Sequence, residues 1–332
     1  MHIGLVGLGK MGFNMRDRLR RAGLDVTGYD RDPELSDAES MAAMVKALPA
    51  PRTVWVMVPS GPITRAVVQE LGELLSEGDL AIEGGNSHFA DDEQHAAHLA
   101  ERGIGYVDCG VSGGVWGLDN GYGLMCGGDA ELVERAMPVF DALRPEGPRE
   151  EGFVHAGSVG AGHYAKMVHN GIEYGLMHAY AEGYELLVAK DIVDDVHGCF
   201  KAWTRGTVVR SWLLDLLVKA LEEDEGLASI KGYVPDSGEG RWTVEEAVAN
   251  AVPMPVISAA LFARFTSRQQ DSPAMKAVAA LRHQFGGHAV TVAGPTSGAQ
   301  EVAKEDEAPS AGPSSGAGST GSTGPTRPAA DR

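Results

Sequence analysis

The sequence predicts an α/β protein, with a doubly wound parallel sheet in its first part and a mainly α-helical second part. Over residues 1–160, short apolar runs alternate with amphipathic helical patterns, and a glycine-rich turn joins the first run to the first helix. From 161 to 290 the strand signals fade and long helical patterns take over. Residues 291–332, largely Ala, Gly, Ser, Thr and Pro, are predicted to be disordered because they can bury little apolar surface.

The individual elements follow in chain order. Strands are predicted over residues 3–6, Asp25–Tyr29, Thr53–Val58, Leu80–Glu83 and Tyr106–Cys109, with helices over 10–22, Ile63–Leu75 and Ala90–Arg102. In the first helix, Met11, Met15 and Leu19 recur every fourth residue, which is typical of one apolar face. The second part is predicted to contain helices over Tyr164–Lys190, Val193–Arg205, Ser211–Glu223, Thr243–Arg268 and Pro273–Arg282.

Composition narrows the classes of function. The 332-residue chain has a net charge of −18 and is 43% hydrophobic, which suits one or two domains with a substantial core. Its acidity argues against nucleic acids and anionic membranes as partners, because both attract basic surfaces. An anionic substrate would therefore need a local cluster of basic side chains.

The same composition bears on metals and compartment. Cys109, Cys126 and Cys199 are scattered and have no metal-ligand spacing, so we predict no metal site and a reducing compartment. The first residues lack a secretory pattern, and no apolar run is long enough to cross a membrane. We therefore expect a cytoplasmic protein.

The turn after the first predicted strand reads Gly7-Leu8-Gly9-Lys10-Met11-Gly12, a G-x-G-x-x-G pattern. The pattern alone is weak in a chain with 44 glycines, but here it follows a strand and opens a helix. In a Rossmann-type site, Gly7 permits the tight turn, Gly9 lets the backbone approach a pyrophosphate, and Gly12 lets helix pack on strand. The helix N-terminus attracts the phosphates. The alternative is a plain strand–turn–helix without a ligand.

Asp30 ends the second predicted strand, where a carboxylate can accept hydrogen bonds from ribose hydroxyls and repel a 2′-phosphate. This favours NAD over NADP as the cofactor. Arg31 could stack on adenine or meet a 2′-phosphate, so NADP stays an alternative, as does a solvated turn at Asp30. The remaining predicted cofactor contacts are Val58, Pro59, Ser60 and Asn86.

The most informative segment lies in the first long helix of the second part. Lys166, His169, Asn170 and Glu173 have the spacing i, i+3, i+4 and i+7, which places them on one helix face. Their neighbours Met167, Val168, Ile172 and Leu176 are apolar, which predicts a buried helix that faces a polar cavity. The alternative is an exposed face with a Lys–Glu pair, but it would leave these apolar side chains in solvent.

A buried lysine loses proton affinity and can act as a general base, while a buried carboxyl can stay protonated and act as a general acid. Oxidation of an alcohol by NAD needs the base. Protonation of an enediol after loss of carbon dioxide needs the acid.

Several segments together resemble the 6-phosphogluconate dehydrogenase family over about residues 1–290. Lys166–Tyr174 resembles the family's catalytic helix, and Glu83–Ser87 and Val111–Gly114 resemble its two substrate loops. Gly238–Thr243 and Phe262–Arg264 follow in the family's order, and Arg282–His288 resembles its tail motif.

The resemblance implies that Lys166 is the base for the C3 hydroxyl of 6-phosphogluconate, and that Glu173 protonates C1 of the enediol formed by decarboxylation to give ribulose 5-phosphate. The substrate contacts that it implies are Asn86, Ser112, Gly113, Gly114, His169, Asn170, Tyr174, Arg264, Arg282 and His288, with the arginines chiefly at phosphate. In the family the tail motif reaches a neighbouring subunit, which implies a homo-oligomer, dimer or tetramer, with shared active sites.

The chain departs from the family's longer members, because it lacks their second helical repeat and resembles a short form that tends toward NAD. Where long members carry a phosphate-binding lysine, this sequence has Ser237, and Arg241 is a candidate replacement. Two other functions stay open: a β-hydroxyacid dehydrogenase of the 3-hydroxyisobutyrate or tartronate semialdehyde type, and a catalytically dead, cofactor-binding regulatory protein.

Overall fold

Seven strands form one sheet, in the order β2-β1-β3-β4-β5-β6-β7. The structure is a computed structural model and describes residues 1–291; the predicted tail lies outside them from residue 292 onward. The strands are β1 (His2–Val6), β2 (Asp25–Tyr29), β3 (Thr53–Val56), β4 (Leu80–Glu83), β5 (Gly105–Ser112), β6 (Gly123–Gly128) and β7 (Phe153–Gly157).

The first five strands run parallel, as predicted, but β6 pairs with β5 in the antiparallel direction. The sheet is therefore mostly parallel, and the predicted parallel arrangement is interrupted between β5 and β6. The link between β5 and β6 holds only a 3₁₀ turn at Gly114–Trp116 and a one-turn helix at Gly117–Asn120, which is too short for the crossover that parallel strands require.

Helices cover both faces of the sheet. They are α1 (Lys10–Arg21), α2 (Met41–Ala47), α3 (Pro62–Leu74), α4 (Phe89–Ala100), α5 (Gly117–Asn120) and α6 (Ala130–Leu143). One apolar core packs α1 and α6 against strand residues such as Leu5 and Trp55. A second core packs α2, α3 and α4 against residues such as Val6 and Val56 from the opposite face. Neighbouring residues of a strand therefore enter opposite cores, and helices pack on both faces of the sheet. This is the doubly wound arrangement predicted from the sequence.

The rest of the described chain is helical, again as predicted. Its helices are α7 (Ala161–Val188), α8 (Val196–Trp203), α9 (Trp212–Glu223), α10 (Glu239–Ala249), α11 (Pro255–Ser267) and α12 (Pro273–Gly286). The single helix expected over Thr243–Arg268 is wrong, because the chain breaks between α10 and α11. Ala251 adopts a φ of 53° there, and Pro253 and Pro255 lack the N–H groups that a continuous helix would use.

The helix α7 lies directly on the sheet. A Cβ at Gly110 of β5 would overlap the Lys166 side chain, and a Cβ at Gly162 of α7 would overlap the Met125 carbonyl of β6. Met1–Val290 form one compact unit by their contacts, and a domain boundary at residue 160 stays a prediction. Among the described residues, no helix combines the length and apolar character that crossing a membrane requires.

Candidate active site

The glycine-rich turn has the geometry that a dinucleotide needs. Gly7 has a φ of 92°, and a Cβ there would overlap the Met57 carbonyl, while a Cβ at Gly12 would overlap the carbonyl of Gly7. Gly9 is different, since no atom lies within 4 Å of where its Cβ would be. Gly9 is the N-cap residue of α1, and no side chain caps that N-terminus. The turn is therefore closed toward the protein and open toward a phosphate group, which fits a bound dinucleotide.

Asp30 lies beside this turn at the end of β2. Its Oδ2 accepts a hydrogen bond from the Leu8 amide at 2.6 Å, and its Oδ1 accepts one from the Asp32 amide at 2.9 Å. Arg31 is exposed. The Asp30 carboxylate is therefore held at the end of β2, where the sequence predicts a contact with ribose.

The loops after β3 and β4 complete the same edge of the sheet. From β1 the chain adds β2 on one side and β3 on the other, so the strand order reverses between β1 and β3. Ligands of such sheets bind at this point, beyond the carboxyl ends of the strands. Val58 lies against Gly7 on one side and Gly85 on the other. Pro59, Ser60 and Asn86 are exposed at this edge.

The polar face predicted on α7 is only partly buried. Lys166 and Asn170 are buried, whereas the side chains of His169 and Glu173 are 39% and 38% exposed. Lys166 Nζ donates to Asn170 Oδ1, and His169 Nδ1 lies 3.2 Å from the same oxygen. His169 Nε2 lies 3.3 Å from Ser112 Oγ. The face therefore joins the end of β5.

Burial lowers the pKa of Lys166, against the opposing effects of the Glu173 and Glu239 carboxylates. The amine is thus more readily neutral than an ordinary lysine, as a general base requires. Glu173 lies 3.8 Å from His169 and is open to solvent, so the expected burial of this carboxyl is wrong.

The neighbouring apolar residues also depart from the prediction. Met167 is buried, but Ile172 and Leu176 are 51% and 43% exposed in the single chain. The expectation of a buried helix that faces a polar cavity is therefore wrong at Ile172 and Leu176 within one chain.

A cleft of about 640 Å³ opens beside His169. Ser112 and Gly113 line it from the end of β5, together with residues of β6 and α9. Gly113 and Gly114 have φ values of 142° and 53°, conformations that favour glycine, so the Ser-Gly-Gly loop can turn there with its backbone exposed to a ligand.

A buried network of ionisable groups lies on the sheet side of α7. His163 Nδ1 lies 2.8 Å from Asp92 Oδ2, and His163 Nε2 lies 3.6 Å from Glu83 Oε2. Tyr106 donates to Asp92 at 2.7 Å, and Asp108 accepts from the His163 amide at 2.9 Å. This network joins β4, α4, β5 and α7. The network could not be predicted from the sequence, because its members come from four separate elements.

Within the described residues, Glu83, Asp92 and His163 form a group whose geometry could hold a metal ion. Burial alone would lower the pKa of His163, but the Glu83 and Asp92 carboxylates outweigh that effect and raise it to about 10. With the His163 imidazole protonated, these three groups form ion pairs. The Glu83 carboxylate also accepts from the Gly85 amide at 2.7 Å, which ties the network to the loop that carries Asn86.

Basic side chains gather near Tyr174, which is itself buried. The Arg264 guanidinium lies 3.4 Å from the centre of the Tyr174 ring, and the Ser237 amide donates to the Tyr174 hydroxyl at 3.2 Å. Arg241 and Arg268 both pair with Asp236, at 2.6 and 2.9 Å. Arg241, proposed from the sequence as a substitute for a lysine at position 237, is thus already held by a carboxylate.

Glu239 is a site residue that sequence analysis missed. It is 1% exposed at the first position of α10, and Lys166 is the charged neighbour with the largest effect on it. Its position between Gly238 and Gly240, in a motif already singled out, was the available signal. Sequence alone could not show that the carboxyl points inward.

Arg282 and His288 lie on and just after α12, and both are exposed. In the part of the chain that the structure describes, no hydrogen bond or salt bridge joins either to the other predicted site residues. Their assignment to the substrate stays a prediction.

Two family models cover most of this architecture. Residues 2–145 match the NAD binding domain of 6-phosphogluconate dehydrogenase, and residues 162–302 match the C-terminal domain of 6-phosphogluconate dehydrogenase. The chain belongs to the 6-phosphogluconate dehydrogenase family. It is therefore an oxidoreductase with a domain for NAD or NADP, and the predicted family is confirmed.

Similar proteins support this at the level of the whole chain. The Bacillus subtilis protein YqeC, whose assignment as a 6-phosphogluconate dehydrogenase is provisional, is 41% identical over 87% of this chain and 99% of its own. The NAD(+)-dependent, decarboxylating 6-phosphogluconate dehydrogenase of Haloferax volcanii is 39% identical over 87% of this chain and 98% of its own. The Plasmodium falciparum 6-phosphogluconate dehydrogenase structure has a TM-score of 0.74 at 25% identity, over 88% of this chain and 66% of its own.

The fold extends beyond this family. The Mycobacterium tuberculosis 3-hydroxyisobutyrate dehydrogenase shares it with a TM-score of 0.64 at 22% identity, over 85% of this chain and 99% of its own. At that identity the likeness concerns the fold alone, so the substrate must be inferred from the site.

Proposed function

We propose that this protein oxidises and decarboxylates 6-phosphogluconate to ribulose 5-phosphate and carbon dioxide, with NAD as the preferred electron acceptor. The observation that carries the proposal is Lys166, a buried amine of lowered pKa on α7 beside the carboxyl ends of the strands. Around it lie the Ser112 loop, His169 and Asn170, in a chain whose similar proteins include decarboxylating 6-phosphogluconate dehydrogenases.

In the oxidation step, Lys166 takes the proton of the C3 hydroxyl as the C3–H bond breaks. The bound nicotinamide supplies the acceptor for the hydride, which carries two electrons. The C3 ketone then accepts the electron pair of the C1–C2 bond, so that carbon dioxide leaves as an enediolate forms. Lys166, now an ammonium, gives its proton to the O3 oxygen, so that the enediolate becomes an enediol.

The enediol is then protonated at the carbon that lost carbon dioxide. Glu173 gives this proton, and Lys166 takes back the hydroxyl proton as the ketone re-forms. Over the whole reaction Glu173 has lost one proton and Lys166 has gained one. A half-exposed position suits Glu173 for this role, because the carboxyl can be reprotonated from water between turnovers.

Substrate would be held between the sheet and the helices. Asn86, Ser112, Gly113 and Gly114 would contact it from the sheet, and His169, Asn170 and Tyr174 from the helices. Arg264 is our candidate for the phosphate, since its guanidinium packs on Tyr174 and donates a hydrogen bond to the neutral Pro235 carbonyl at 3.3 Å.

The cofactor preference rests on Asp30. Its carboxylate is fixed at the end of β2 by two backbone amides, and a 2′-phosphate in that place would meet a negative charge. NAD is therefore proposed, with NADP as the poorer acceptor.

A homo-oligomer is the second part of the proposal. No residue of α12 is buried, and Leu281 and Phe285 on it are 67% and 86% exposed. A helix with such apolar side chains in solvent needs a partner surface, and a neighbouring subunit would also receive Arg282 and His288.

Turnover tests the reaction directly. Purified protein should reduce NAD, followed at 340 nm, with 6-phosphogluconate, and should release ribulose 5-phosphate and carbon dioxide in equal amounts. The rate with NAD should exceed that with NADP. Lys166→Met should lower kcat about 10³-fold or more while NAD binding stays within about twofold of wild type.

The same assay separates the alternatives. Turnover of 3-hydroxyisobutyrate or tartronate semialdehyde but not 6-phosphogluconate would indicate a β-hydroxyacid dehydrogenase. NAD binding without turnover of any of these would indicate a regulatory protein.

Mixing two inactive variants tests the shared site. Lys166→Met and Arg282→Ala each damage every site of their own oligomer. If Arg282 serves the neighbouring subunit, a mixed dimer rebuilds one intact site, so co-refolded protein should recover roughly a quarter of wild-type activity. Recovery no greater than the sum of the two variants alone would place Arg282 outside a shared site.

A further inference from the structure

Glu239 is a buried carboxyl that the proposed reaction does not yet use. Its side chain is almost wholly inaccessible, and its Oε2 is buried without a hydrogen-bond partner among residues 1–291. An unpaired buried carboxyl oxygen costs stability unless it serves a neighbouring charge or ligand. The position therefore calls for a functional explanation.

The protein fixes Glu239 against the catalytic helix. The Thr243 hydroxyl donates one shared hydrogen bond, to the Glu239 carbonyl at 2.8 Å and to the Met167 carbonyl of α7 at 2.9 Å. A Cβ at Gly240 would overlap the Tyr174 ring, and a Cβ at Gly171 would lie 2.7 Å from Thr243. These glycines let the start of α10 approach α7 beside Lys166, so the backbone of Glu239 has little freedom to move away.

We propose that Glu239 is a positioning residue for Lys166, whose carboxylate stabilises the ammonium form while that amine holds the proton taken from the substrate. The proton moves from the substrate hydroxyl to Lys166 Nζ, and no bond to Glu239 forms or breaks. This role rests on the proposed function, in which Lys166 is the base.

The charges around the pair agree with this role. Burial raises the pKa of Glu239 to about 7, although the Lys166 ammonium lowers it. Glu239 in turn raises the pKa of Lys166, which burial lowers. Glu173 from α7 acts on both groups, and His163 acts on Glu239. From β5, Asp108 is engaged by the amides of Gly160 and His163.

The two carboxyls near Lys166 therefore have different tasks. Glu173 reaches solvent and can exchange protons with water, as a donor to carbon requires. Glu239 is sealed from water, so its charge acts strongly on its neighbour through a medium of low polarity. Without Glu239, α10 would provide no buried carboxylate to offset the cost of burying the Lys166 ammonium.

The test compares Glu239→Gln with Glu245→Gln, an exposed carboxyl on the same helix. Loss of the buried carboxylate should lower the pKa of Lys166 further, so the acidic limb of the kcat/KM profile should move to lower pH by about one unit. The plateau should fall about tenfold, because the base is weaker. Glu239→Asp should restore part of both changes, and Glu245→Gln should match wild type.

A purely structural role predicts a different result. In that case Glu239→Gln would lower activity equally at every pH and leave the acidic limb in place, which would overturn the proposal. Should Glu239→Gln fold poorly by circular dichroism, the milder Glu239→Asp alone carries the comparison, since a longer gap to Lys166 should still shift the limb to lower pH.

A measurement without substrate separates this inference from the proposed function. Lysine labelled with ¹³C at Cε gives a Lys166 resonance, assigned by its absence in Lys166→Met, whose titration can be followed in wild type and in Glu239→Gln. A lower midpoint in Glu239→Gln supports the inference even if 6-phosphogluconate is not a substrate. An unchanged midpoint contradicts it even if 6-phosphogluconate is turned over.

Discussion

His163 and Lys166 lie one turn apart on α7 and are 2% and 8% exposed, yet their pKa values move in opposite directions. The pKa of His163 is raised to about 10, whereas that of Lys166 is lowered. Burial acts against the charged form of both. The difference therefore comes from the groups that each side chain meets.

On the sheet side, His163 meets carboxylates at close range, with Asp92 at 2.8 Å and Glu83 at 3.6 Å. On the helix side, the bonded neighbour of Lys166 is the neutral amide of Asn170, and its carboxylates act from farther away. A buried charge that is fully paired with opposite charges, as at His163, serves a structural role. A buried charge that is only partly paired, as at Lys166, can release or take up a proton more readily. The same helix thus holds the strand ends in place through His163 and carries the proposed base at Lys166, one turn later.

The largest effect that this comparison predicts is on stability. His163→Gln leaves Glu83 and Asp92 buried without a cationic partner, so the free energy of unfolding should fall by about 3–5 kcal/mol. Urea denaturation at pH 7 measures it. His178→Gln is the matched control, because His178 is on the same helix in a solvent-accessible pair with Glu182 at 3.2 Å, and should change stability by less than about 1 kcal/mol.

A small effect of His163→Gln, similar to that of His178→Gln, would mean that the carboxyls on the sheet side are protonated and need no partner. The distinction between the two sides of α7 would then fail. The scaffold role also predicts that NAD turnover by the folded fraction of His163→Gln falls less than that of Lys166→Met.

Elements that depend on local pattern could be predicted from the sequence. The turn at Gly7–Gly12, the strand that ends before Asp30 and the polar face of α7 all follow from spacing and glycine geometry. The strand β6 was missed because Gly-Leu-Met-Cys-Gly-Gly has little of the β-branched character by which strands are recognised. The break after α10 was missed because the apolar periodicity continues across it, although Pro253 and Pro255 mark it.

The ionisable groups were harder to predict for a different reason. Residues Lys166 to Glu173 share one helix, so their arrangement follows from the helical repeat. Glu83, Asp92 and Asp108 reach His163 only through the order of the strands, and Glu239 reaches Lys166 only through the packing of α10 on α7. Burial that tertiary contacts create cannot be read from a local pattern, and here it decides which groups are structural and which are reactive.

The smallest predicted effect is the pH dependence of stability. Because the pKa of His163 rises from an ordinary 6.5 to about 10 on folding, the folded state keeps a proton that the unfolded state loses. The stabilisation is fully present below pH 6.5 and is lost as the pH rises toward 10, with a slope of at most about 1.4 kcal/mol per pH unit from this one group.

Lys166 contributes with the opposite sign, since its pKa falls on folding and the unfolded state holds the extra proton at high pH. As the pH approaches 10.5, the free energy of unfolding should therefore decline more steeply in Lys166→Met than in wild type. In His163→Gln the decline should be shallower, and equal slopes in the three proteins would contradict the opposite assignment of the two residues.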